Sequence, residues 1–590
     1  MDTATAQPTT RRHDPRTLQA PANFPIRWEQ PDDAKMYWEL DLMHYPAPMA
    51  PLEFSLMLLY SHGFNTAAEQ FELPVRMRNL HINTYSYQCI YPIALPPEGV
   101  LKMLNGIGRV FPGFTASIQK KAVDGQARKY LAKMTPFVDR LMEIWNNDWL
   151  PEIKEHLAFW DRFDLRSATT DALLKHFEES VQRSLRIGDI HFFIGIPQLY
   201  AISRYQDIYT DLFPGDHPLE AFTLLQGFDN KTLETDRELW RLSLAAASVP
   251  AVREVIVYAD PANVLSRLKE LPEAGEFLAA LEAYLSEYGQ RGDRFSTIGE
   301  VSWIENPAPV LKNLRDYLIN PVPDPAEERI AHERARTEAV AAARARLKGY
   351  PKPVVEQFET ALRAAQEGTI LQEDHGFWID YRCLYRLRRV VLEFGRRFAA
   401  SGVCERNDDP FYLTIDELRE TAAKLPAIDR RGLIARRREE EKRFASIKPP
   451  RAVGRLPLMP PPEADPVART IVRFFGPSSA EQKDAACIRG TAGSTGVFRG
   501  TARVIRNLAD ASRLAPGEIL VTETTAAPWT PLFATAGAVV TNTGGVLSHC
   551  ALVAREYRIP AVVGTISATE RIADGAQIEV DGNTGRVTLL

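Results

Sequence analysis

The chain has 590 residues, of which 45% are hydrophobic and 25% charged, and its formal net charge is −5 at pH 7. This length predicts two to four domains, and the mild acidity excludes the strongly basic surface typical of nucleic-acid binding. The five cysteines show no metal-binding spacing, and no apolar run approaches the ~18 residues of a membrane span. We therefore expect a cytoplasmic protein without a bound metal, a nucleic-acid partner or membrane contact.

Four segments follow one another along the chain. Residues 1–23 lack the apolar core of a signal peptide, which predicts a disordered tail. Residues 24–445 repeat apolar positions at helical spacing, as in "VLSRLKELPEAGEFLAALEAYLSEYG", which predicts a mainly helical body. Residues 446–485 include "KPPRAVGRLPLMPPPEADP", whose prolines predict a semi-rigid extended linker. Residues 486–590 alternate short β-branched runs with turn residues, which predicts a small α/β domain.

The stretch "TNTGGVLSHCALVAREYRIPAVVG", residues 541–564, surrounds a single histidine with groups suited to an anion. Ser548 is a good N-cap, which places His549 in the first helical turn, where free backbone N–H groups favour negative charge. Gly544 and Gly545 allow another backbone or a phosphate to approach closely. These features indicate an imidazole that accepts a phosphoryl group.

Two further residues of this stretch have predicted supporting roles. Thr541 is expected to hydrogen-bond the imidazole and to fix which ring nitrogen is exposed. Arg555, near the other end of the helix, is expected either to brace the loop or to reach the anion. A stiff tether leading to such a domain indicates that the domain moves.

The same stretch, together with "GSTGVFRGTARVI", "GEILVTETTAAPWTPLF" and "VDGNTGRV", resembles the phosphohistidine swivelling domain of phosphoenolpyruvate-utilising enzymes across residues 486–590. The resemblance implies that His549 is the phosphorylated residue. Cys550 stands where the family most often carries alanine. The fold class expected is therefore multidomain: a mainly α-helical substrate-binding body plus a small C-terminal α/β swivelling phosphohistidine domain.

The body resembles the central domain of rifampin phosphotransferase and of phenylphosphate synthase, notably in "DLMHYP", "YGQRGDR" and "EDHGFWIDYR". The resemblance implies that the body binds a hydroxylated organic acceptor. The helical pattern of the first 445 residues does not fit an ATP-grasp domain, and the swivelling domain leaves no room for a C-terminal barrel. The phenylphosphate synthase arrangement therefore implies that a separate ATP-grasp subunit binds ATP and Mg²⁺, and that this chain holds no tightly bound cofactor.

Phosphorylation of a phenol requires a general base, a phosphate clamp and an apolar pocket. The segment "EDHGFWIDYR" offers His375 as the base, with Asp374 or Asp380 to orient it. The remaining candidates for the acceptor site are Phe377, Trp378 and Tyr381 as walls, Arg382, Arg291 and Arg294 as cations, and the pair His44 and Asp41.

Two classes of function stay open on the sequence. The first is the acceptor-binding subunit of a dikinase that phosphorylates a phenolic compound, such as phenol, a cresol or a lignin-derived hydroxyphenyl ketone, for catabolism. A variant of it acts on an aliphatic hydroxyl or an antibiotic. The second is a phosphocarrier or regulatory protein without a small-molecule acceptor.

Overall fold

A computed structural model of the chain describes residues 14–93, 98–110, 112–294, 297–321, 323–457, 464–477 and 486–590. A mainly helical body, residues 14–457, precedes a smaller C-terminal domain, residues 486–590, built on a mixed sheet. This order agrees with the predicted fold class. Most of the predicted tail, residues 1–13, lies outside the described part of the chain. Among the described residues, no helix is both long enough and apolar enough to span a membrane.

The helices of the body are α1 (Pro51–Gln70), α2 (Glu98–Val110), α3 (Pro112–Val138), α4 (Leu141–Ile144), α5 (Leu150–Arg162), α6 (Thr170–Leu212), α7 (Glu220–Thr223), α8 (Lys231–Ser248), α9 (Pro250–Tyr258), α10 (Val264–Glu270), α11 (Gly275–Tyr288), α12 (Ala308–Ile319), α13 (Pro325–Arg346), α14 (Lys352–Gly376), α15 (Leu384–Ala400), α16 (Ile415–Ala423) and α17 (Arg431–Ala445). Helix α14 continues into α15 through a π-helical segment, Phe377–Cys383.

The body is organised around α6, which is 43 residues long. Helices α1 and α14 pack against it, and buried side chains of all three helices contribute to one large apolar cluster. Gly63 of α1 faces Gly188 of α6, and a Cβ atom on Gly63 would lie 2.2 Å from the carbonyl oxygen of Gly188. Only a residue without a side chain permits this approach. The packing fixes α6 relative to its neighbours.

A five-stranded sheet adds to the body, where the sequence predicted mainly helices. Its strands are β1 (Thr17–Leu18), β2 (Tyr37–Leu40), β3 (Val75–Ile82), β4 (Tyr85–Pro92) and β5 (Ala452–Arg455), in the order β1-β5-β2-β4-β3. Asn83 and Thr84 join β3 to β4 with positive φ angles of 50° and 71°, as tight hairpin turns require. The predicted tail is corrected here, because Thr17–Leu18 pairs with β5.

The predicted extended linker, residues 446–485, contains regular structure in its described parts. Strand β5 belongs to the sheet of the body. A further helix, α18 (Pro466–Phe475), begins after Asp465, whose side chain accepts hydrogen bonds from the backbone N–H groups of Val467 and Ala468. A proline at the first helical position is favourable, so the prolines here start a helix instead of excluding one. Residues 458–463 and 478–485 lie outside the described residues.

The C-terminal domain is built on an eight-stranded sheet in the order β6-β13-β12-β8-β9-β10-β11-β7. Its strands are β6 (Cys487–Arg489), β7 (Thr491–Ser494), β8 (Val497–Val504), β9 (Ile519–Thr522), β10 (Ala538–Thr541), β11 (Ala561–Val563), β12 (Gln577–Asp581) and β13 (Arg586–Leu589). Its helices are α19 (Thr530–Phe533), α20 (His549–Glu556) and α21 (Ala568–Arg571).

Strands β8 to β11 are parallel to one another, and apolar clusters cover both faces of this part of the sheet. The histidine motif follows β10, so it lies at the carboxyl ends of the parallel strands, where ligand sites of α/β sheets are usually found. Helix α20 packs on one face through Ala551 and Val553, both fully buried.

Candidate active site

His549 begins α20, as the sequence predicts, and Ser548 caps the helix by accepting a hydrogen bond from the backbone N–H of Ala551 at 3.5 Å. The C-terminal domain is docked on the body, and Nδ1 of His549 lies 3.3 Å from the carboxylate of Glu373 on α14. The other ring nitrogen, Nε2, is buried and has no hydrogen-bond partner among the described residues.

The state of Glu373 decides which nitrogen of the imidazole carries the proton. Burial raises the pKa of Glu373, but the charge and hydrogen bond of His549 and the hydroxyl of Thr232, which donates at 2.6 Å, outweigh it and lower the pKa overall. An ionised carboxylate accepts a hydrogen bond, so in the neutral form of the imidazole Nδ1 carries the proton and Nε2 the lone pair. The arrangement leaves a nucleophilic nitrogen without a partner.

The two glycines of the motif allow a close backbone approach. The backbone N–H groups of Gly544 and Gly545 donate to the carbonyl oxygens of Phe475 and Phe474, at 3.0 and 2.9 Å. A Cβ atom on Gly545 would lie 2.2 Å from the carbonyl oxygen of Arg473. The end of α18 therefore holds the loop, which is the first of the two uses that the sequence allows for these glycines.

Thr541 and Arg555 support the loop and make no hydrogen bond to the imidazole. The hydroxyl of Thr541 donates to the carbonyl oxygen of Thr543 at 2.8 Å, so the expected contact with the ring is replaced by that of Glu373. Arg555 donates to the carbonyl oxygens of Gly493 and Val546 at 2.9 and 3.0 Å. Of its two expected roles, bracing is the one present, and burial lowers the pKa of Arg555 to about 10.

His549 is one of the residues that line a cavity of about 240 Å³ between the body and the C-terminal domain. Its lining is mostly apolar and aromatic, with a few polar groups. The lining includes Met57, Tyr60, Phe64, Phe192, Ile196, Phe377, Tyr381, Ile471, Phe474 and Phe475, and the polar residues Asp41, His44, His191, Arg291, Glu373, His375, Thr541, Ser548 and His549.

Arg291 provides a buried positive charge at this cavity. Its side chain is almost completely buried, its Nη2 donates to the hydroxyl of Thr235 at 3.2 Å, and its Nε has no hydrogen-bond partner among the described residues. The guanidinium lies 4.8 Å from the ring centre of Tyr381, and no carboxylate of the described residues forms an ion pair with it. Burial lowers the pKa of Arg291. A desolvated guanidinium of this kind is suited to binding a phosphoryl group.

His44 and Asp41 form a histidine–carboxylate pair on the cavity wall. Nδ1 of His44 lies 3.0 Å from both carboxylate oxygens of Asp41. Burial lowers the pKa of His44, but the charge and hydrogen bond of Asp41, together with the charge of Asp380, outweigh it and raise the pKa overall. A carboxylate that orients an imidazole in this way is the usual arrangement of a general base.

His375, the base expected from the sequence, also lines the cavity, but its Nδ1 donates to the carbonyl oxygen of Leu371 at 2.6 Å. Burial lowers the pKa of His375 to about 4 and that of His191, whose ring centre is 4.9 Å away, to about 3. Asp380 lies nearby and accepts a hydrogen bond from the hydroxyl of Tyr60. These buried imidazoles are neutral, so they are weak bases.

The other predicted acceptor residues divide into two groups. Phe377 and Tyr381 line the cavity, as expected for walls. Four residues make contacts elsewhere: Asp374 accepts from the backbone N–H of Lys231 at 2.8 Å, Trp378 packs against Lys154 and Arg382, Arg382 pairs with Glu287 at 2.7 Å, and Arg294 pairs with Glu300 at 2.9 Å. Burial raises the pKa of Asp374 to about 6.

Glu373 and Thr232 are the site residues that the sequence analysis missed. Glu373 immediately precedes Asp374 in "EDHGFW", and it lies 176 positions from His549 along the chain. The acidic pair is a visible signal for a carboxylate, but only the docked fold shows which of the two reaches the imidazole.

Two family models match the chain. Residues 514–585 match the mobile domain of PEP-utilising enzymes, and residues 194–373 match the fourth domain of rifampicin phosphotransferase. The first match contains His549, and the second contains Thr232, Arg291 and Glu373. These two regions therefore relate the chain to PEP-utilising enzymes and to rifampicin phosphotransferase.

Individual relatives agree with this assignment. The chain is 38% identical to chondramide synthase cmdD of Chondromyces crocatus over 97% of its own length and 14% of that protein. It is 29% identical to the uncharacterised phosphotransferase YvkC of Bacillus subtilis, over 77% of its own length and 53% of that protein. It is 30% identical to rifampicin phosphotransferase of Streptomyces sviceus, over 58% of its own length and 38% of that protein. The chain thus spans about half, or less, of these relatives.

Proposed function

We propose that this chain is a phosphotransferase that carries a phosphoryl group on Nε2 of His549 and transfers it to the hydroxyl of a small, largely apolar acceptor. The observation that carries the proposal is the orientation of the imidazole. Its Nδ1 faces Glu373, its Nε2 has no hydrogen-bond partner among the described residues, and His549 belongs to the cavity lining. A phosphocarrier that contacts only other proteins has no use for such a cavity.

The polar groups of the cavity supply a general base and a positive charge for the transfer. The acceptor hydroxyl loses its proton to Nε2 of His44, whose Nδ1 is held by Asp41. The acceptor oxygen forms a bond to phosphorus, and the bond from phosphorus to Nε2 of His549 breaks, returning its electron pair to the ring. Arg291 neutralises charge on the phosphoryl oxygens.

The size and lining of the cavity favour a phenolic acceptor. A volume of about 240 Å³ is below the roughly 300–1,000 Å³ typical of sites for drug-sized ligands. Phe377, Phe474 and Phe475 suit the faces of one aromatic ring. A phenol, a cresol or a hydroxyphenyl ketone fits these limits better than a large antibiotic, although relatives of this chain carry the name rifampicin phosphotransferase.

Loading of His549 is assigned to a separate ATP-grasp subunit that binds ATP and Mg²⁺ and releases AMP and phosphate. In the docked arrangement the side chain of His549 is only 15% exposed, so a nucleotide has no access to Nε2. The C-terminal domain must leave the body to be phosphorylated. This requirement supports a donor site outside the acceptor cavity and a dikinase that works by domain movement.

The proposal is tested in two stages with the full chain. Phosphoramidate, a small chemical phosphoryl donor, should label wild-type protein at an acid-labile, base-stable linkage and should not label His549→Ala. Ser548→Ala should still be labelled, because it weakens only the helix cap, by about 1 kcal/mol. Acid-stable label that survives in His549→Ala and disappears in Ser548→Ala would assign the phosphoryl group to the serine.

Labelled protein is then mixed with phenol, p-cresol or p-hydroxyacetophenone, with cyclohexanol as the control of matched shape, and with rifampicin. Phosphorus NMR should show the phosphate ester of the phenols and none of cyclohexanol, because the aliphatic hydroxyl is far harder to deprotonate. Label that stays on the protein with every acceptor would contradict the proposed activity. Transfer to rifampicin alone would replace the phenolic class with a larger acceptor.

A further inference from the structure

Three side chains beside the cavity, two of them buried and that of His191 partly buried, place potential metal ligands close together. His191 lies on α6, His375 near the end of α14, and Asp380 in the π-helical segment, Phe377–Cys383. One ligand atom from each lies within 4.8 Å of the other two. Over the part of the chain that the structure describes, this is the one group of three or more such residues with that geometry.

The π-helical segment explains how two of these residues meet. In a π-helix the backbone hydrogen bonds join residues five apart, and such segments occur mainly at functional sites. His375 and Asp380 are five residues apart, a spacing that a regular α-helix turns to different faces. The wider turn brings them onto one side, where α6 adds His191.

The hydrogen bonds of His375 and Asp380 match those of metal ligands. Nδ1 of His375 donates to the carbonyl oxygen of Leu371 at 2.6 Å, which leaves the lone pair on Nε2. A ligating histidine nearly always donates its other N–H in this way. Asp380 accepts from the hydroxyl of Tyr60, which orients the carboxylate.

His191 contacts Asp380 without a hydrogen bond at its Nδ1. Its Nδ1 is buried, has no hydrogen-bond partner among the described residues, and lies 3.5 Å from a carboxylate oxygen of Asp380. An imidazole nitrogen without a hydrogen-bond partner can donate its lone pair to a metal ion.

We propose that His191, His375 and Asp380 form a binding site for a divalent transition-metal ion beside the cavity. Two imidazoles and one carboxylate suit Zn²⁺, Mn²⁺ or Co²⁺ better than Mg²⁺, which prefers oxygen ligands. Three protein ligands leave coordination positions open, as in catalytic zinc sites. The site differs from the sequence prediction of no metal, because its ligands are distant in the chain and show no characteristic spacing.

The ion would bind the acceptor oxygen and so help the hydroxyl to lose its proton to His44. This role rests on the proposed transfer to a hydroxyl acceptor, whereas the site itself does not. His191 and His375 both line the cavity, so an acceptor in the cavity has access to the open positions.

The site is tested by adding Zn²⁺ or Co²⁺ alone to the full chain after treatment with a chelator. Calorimetry should show one Zn²⁺ bound per chain. His375→Ala and Asp380→Asn should each weaken binding by more than about 100-fold, since even the loss of an outer hydrogen bond costs 10–100-fold. Tyr60→Phe removes an outer hydrogen bond to Asp380 and should weaken metal binding by about 10- to 100-fold. His62→Ala removes a half-exposed histidine beside Asp189 and should leave binding unchanged.

A ligand exchange gives a second readout that does not depend on loss of binding. His191→Cys should retain Co²⁺ and add the near-ultraviolet absorption of a sulfur–cobalt bond. Absence of stoichiometric binding, equal affinity in His375→Ala and wild type, or a Co²⁺ spectrum without the sulfur band would overturn the proposal. Labelling of His549 by phosphoramidate needs no metal, so failure of the metal site and failure of the proposed function are separable.

Discussion

Glu373 belongs to the body, yet it selects the reactive nitrogen of a histidine in the other domain. Its carboxylate lies 3.3 Å from Nδ1 of His549 and leaves Nε2 without a hydrogen-bond partner among the described residues. With Nδ1 protonated, the ring that carries the phosphoryl group leaves as neutral imidazole instead of imidazolate. Under the proposed function, docking on the body therefore improves the leaving group at the place of transfer.

Glu373→Gln should slow transfer without preventing phosphorylation. The amide keeps the shape but loses a hydrogen bond to a charged group, which is worth roughly 1.5–3 kcal/mol, so we expect transfer to fall about 10- to 150-fold. Rapid-quench assays on phosphoramidate-labelled protein measure it. Glu356→Gln, an exposed position on the same helix, is the control. Equal loss of labelling and transfer would show that Glu373 only maintains the fold.

The rate of transfer should depend on pH through His44, which must be unprotonated to accept the hydroxyl proton. Asp41 holds the pKa of His44 above its ordinary value of 6.5, so the rate should rise with pH to a plateau reached above pH 6.5. Asp41→Asn removes the charge that raises the pKa of His44 and leaves burial to lower it. The rise in transfer rate should therefore occur at lower pH in this variant. A pH profile of transfer from labelled His549 measures both. If the transfer rate of Asp41→Asn rose over the same pH range as that of the wild type, His44 would be excluded as the base.

The sequence could predict those site residues whose placement depends on their neighbours in the chain. Ser548 and His549 have their expected places because a helix cap is a local property. Arg294 and Arg382, by contrast, pair with Glu300 and Glu287. Whether an arginine faces a ligand or a carboxylate is decided by tertiary contacts, which spacing along the chain does not reveal.

At the level of elements, α18 connects the body with the histidine loop. Its Arg473 pairs with Asp207 of α6 at 2.7 Å, while its last carbonyl groups accept the N–H groups of Gly544 and Gly545. The sequence prediction of an extended linker missed it because nearby prolines outweighed a short helical pattern. Strands β8 to β12 of the C-terminal domain were predictable, since each contains β-branched residues and is bounded by turn residues, whereas β6 (CIR) and β7 (TAGS) carry no such run.

Gly545→Ala should disturb this connection. Its Cβ atom would lie 2.2 Å from a backbone oxygen, and relief of such overlap typically costs 1–3 kcal/mol. We expect a lower thermal midpoint by calorimetry and slower transfer, because the loop that positions His549 must move. Gly432→Ala, where nothing lies within 4 Å of the new atom, should leave both unchanged or slightly raise stability. Wild-type transfer in Gly545→Ala would show that α18 does not position the loop.

For the whole molecule, the docked arrangement encloses His549 and buries polar groups between the body and the C-terminal domain. Tyr557 donates to Asp236, and Gln226 donates to the carbonyl oxygen of Arg555 at 3.0 Å. Under the proposed function, phosphorylation requires release of these contacts, so the strength of docking sets the balance between loading and transfer. Buried carboxylates at such an interface make that balance depend on pH.

Glu556 is the clearest of these carboxylates. Burial against the body raises its pKa to about 7, although the N–H of Gly227 and the charges of Arg555, Arg336 and Arg558 act in the opposite direction. Once undocking exposes the carboxyl group of Glu556, its pKa should return to about 4.3. A pKa raised in the docked state means that docking takes up a proton. Docking is therefore strongest below pH 4.3 and weakens as the pH rises to about 7.

Glu556→Gln should make docking tighter at neutral pH and reduce its pH dependence. Asp236, whose pKa burial also raises, should keep part of the dependence in this variant. All five native cysteines are buried, so dyes attached to Tyr350→Cys and Val497→Cys, both exposed positions, report the distance between body and domain by energy transfer. Glu579→Gln, a glutamate of β12 paired with Arg499, should respond to pH like the wild type. A wild-type pH response in Glu556→Gln would show that its carboxylate does not control docking.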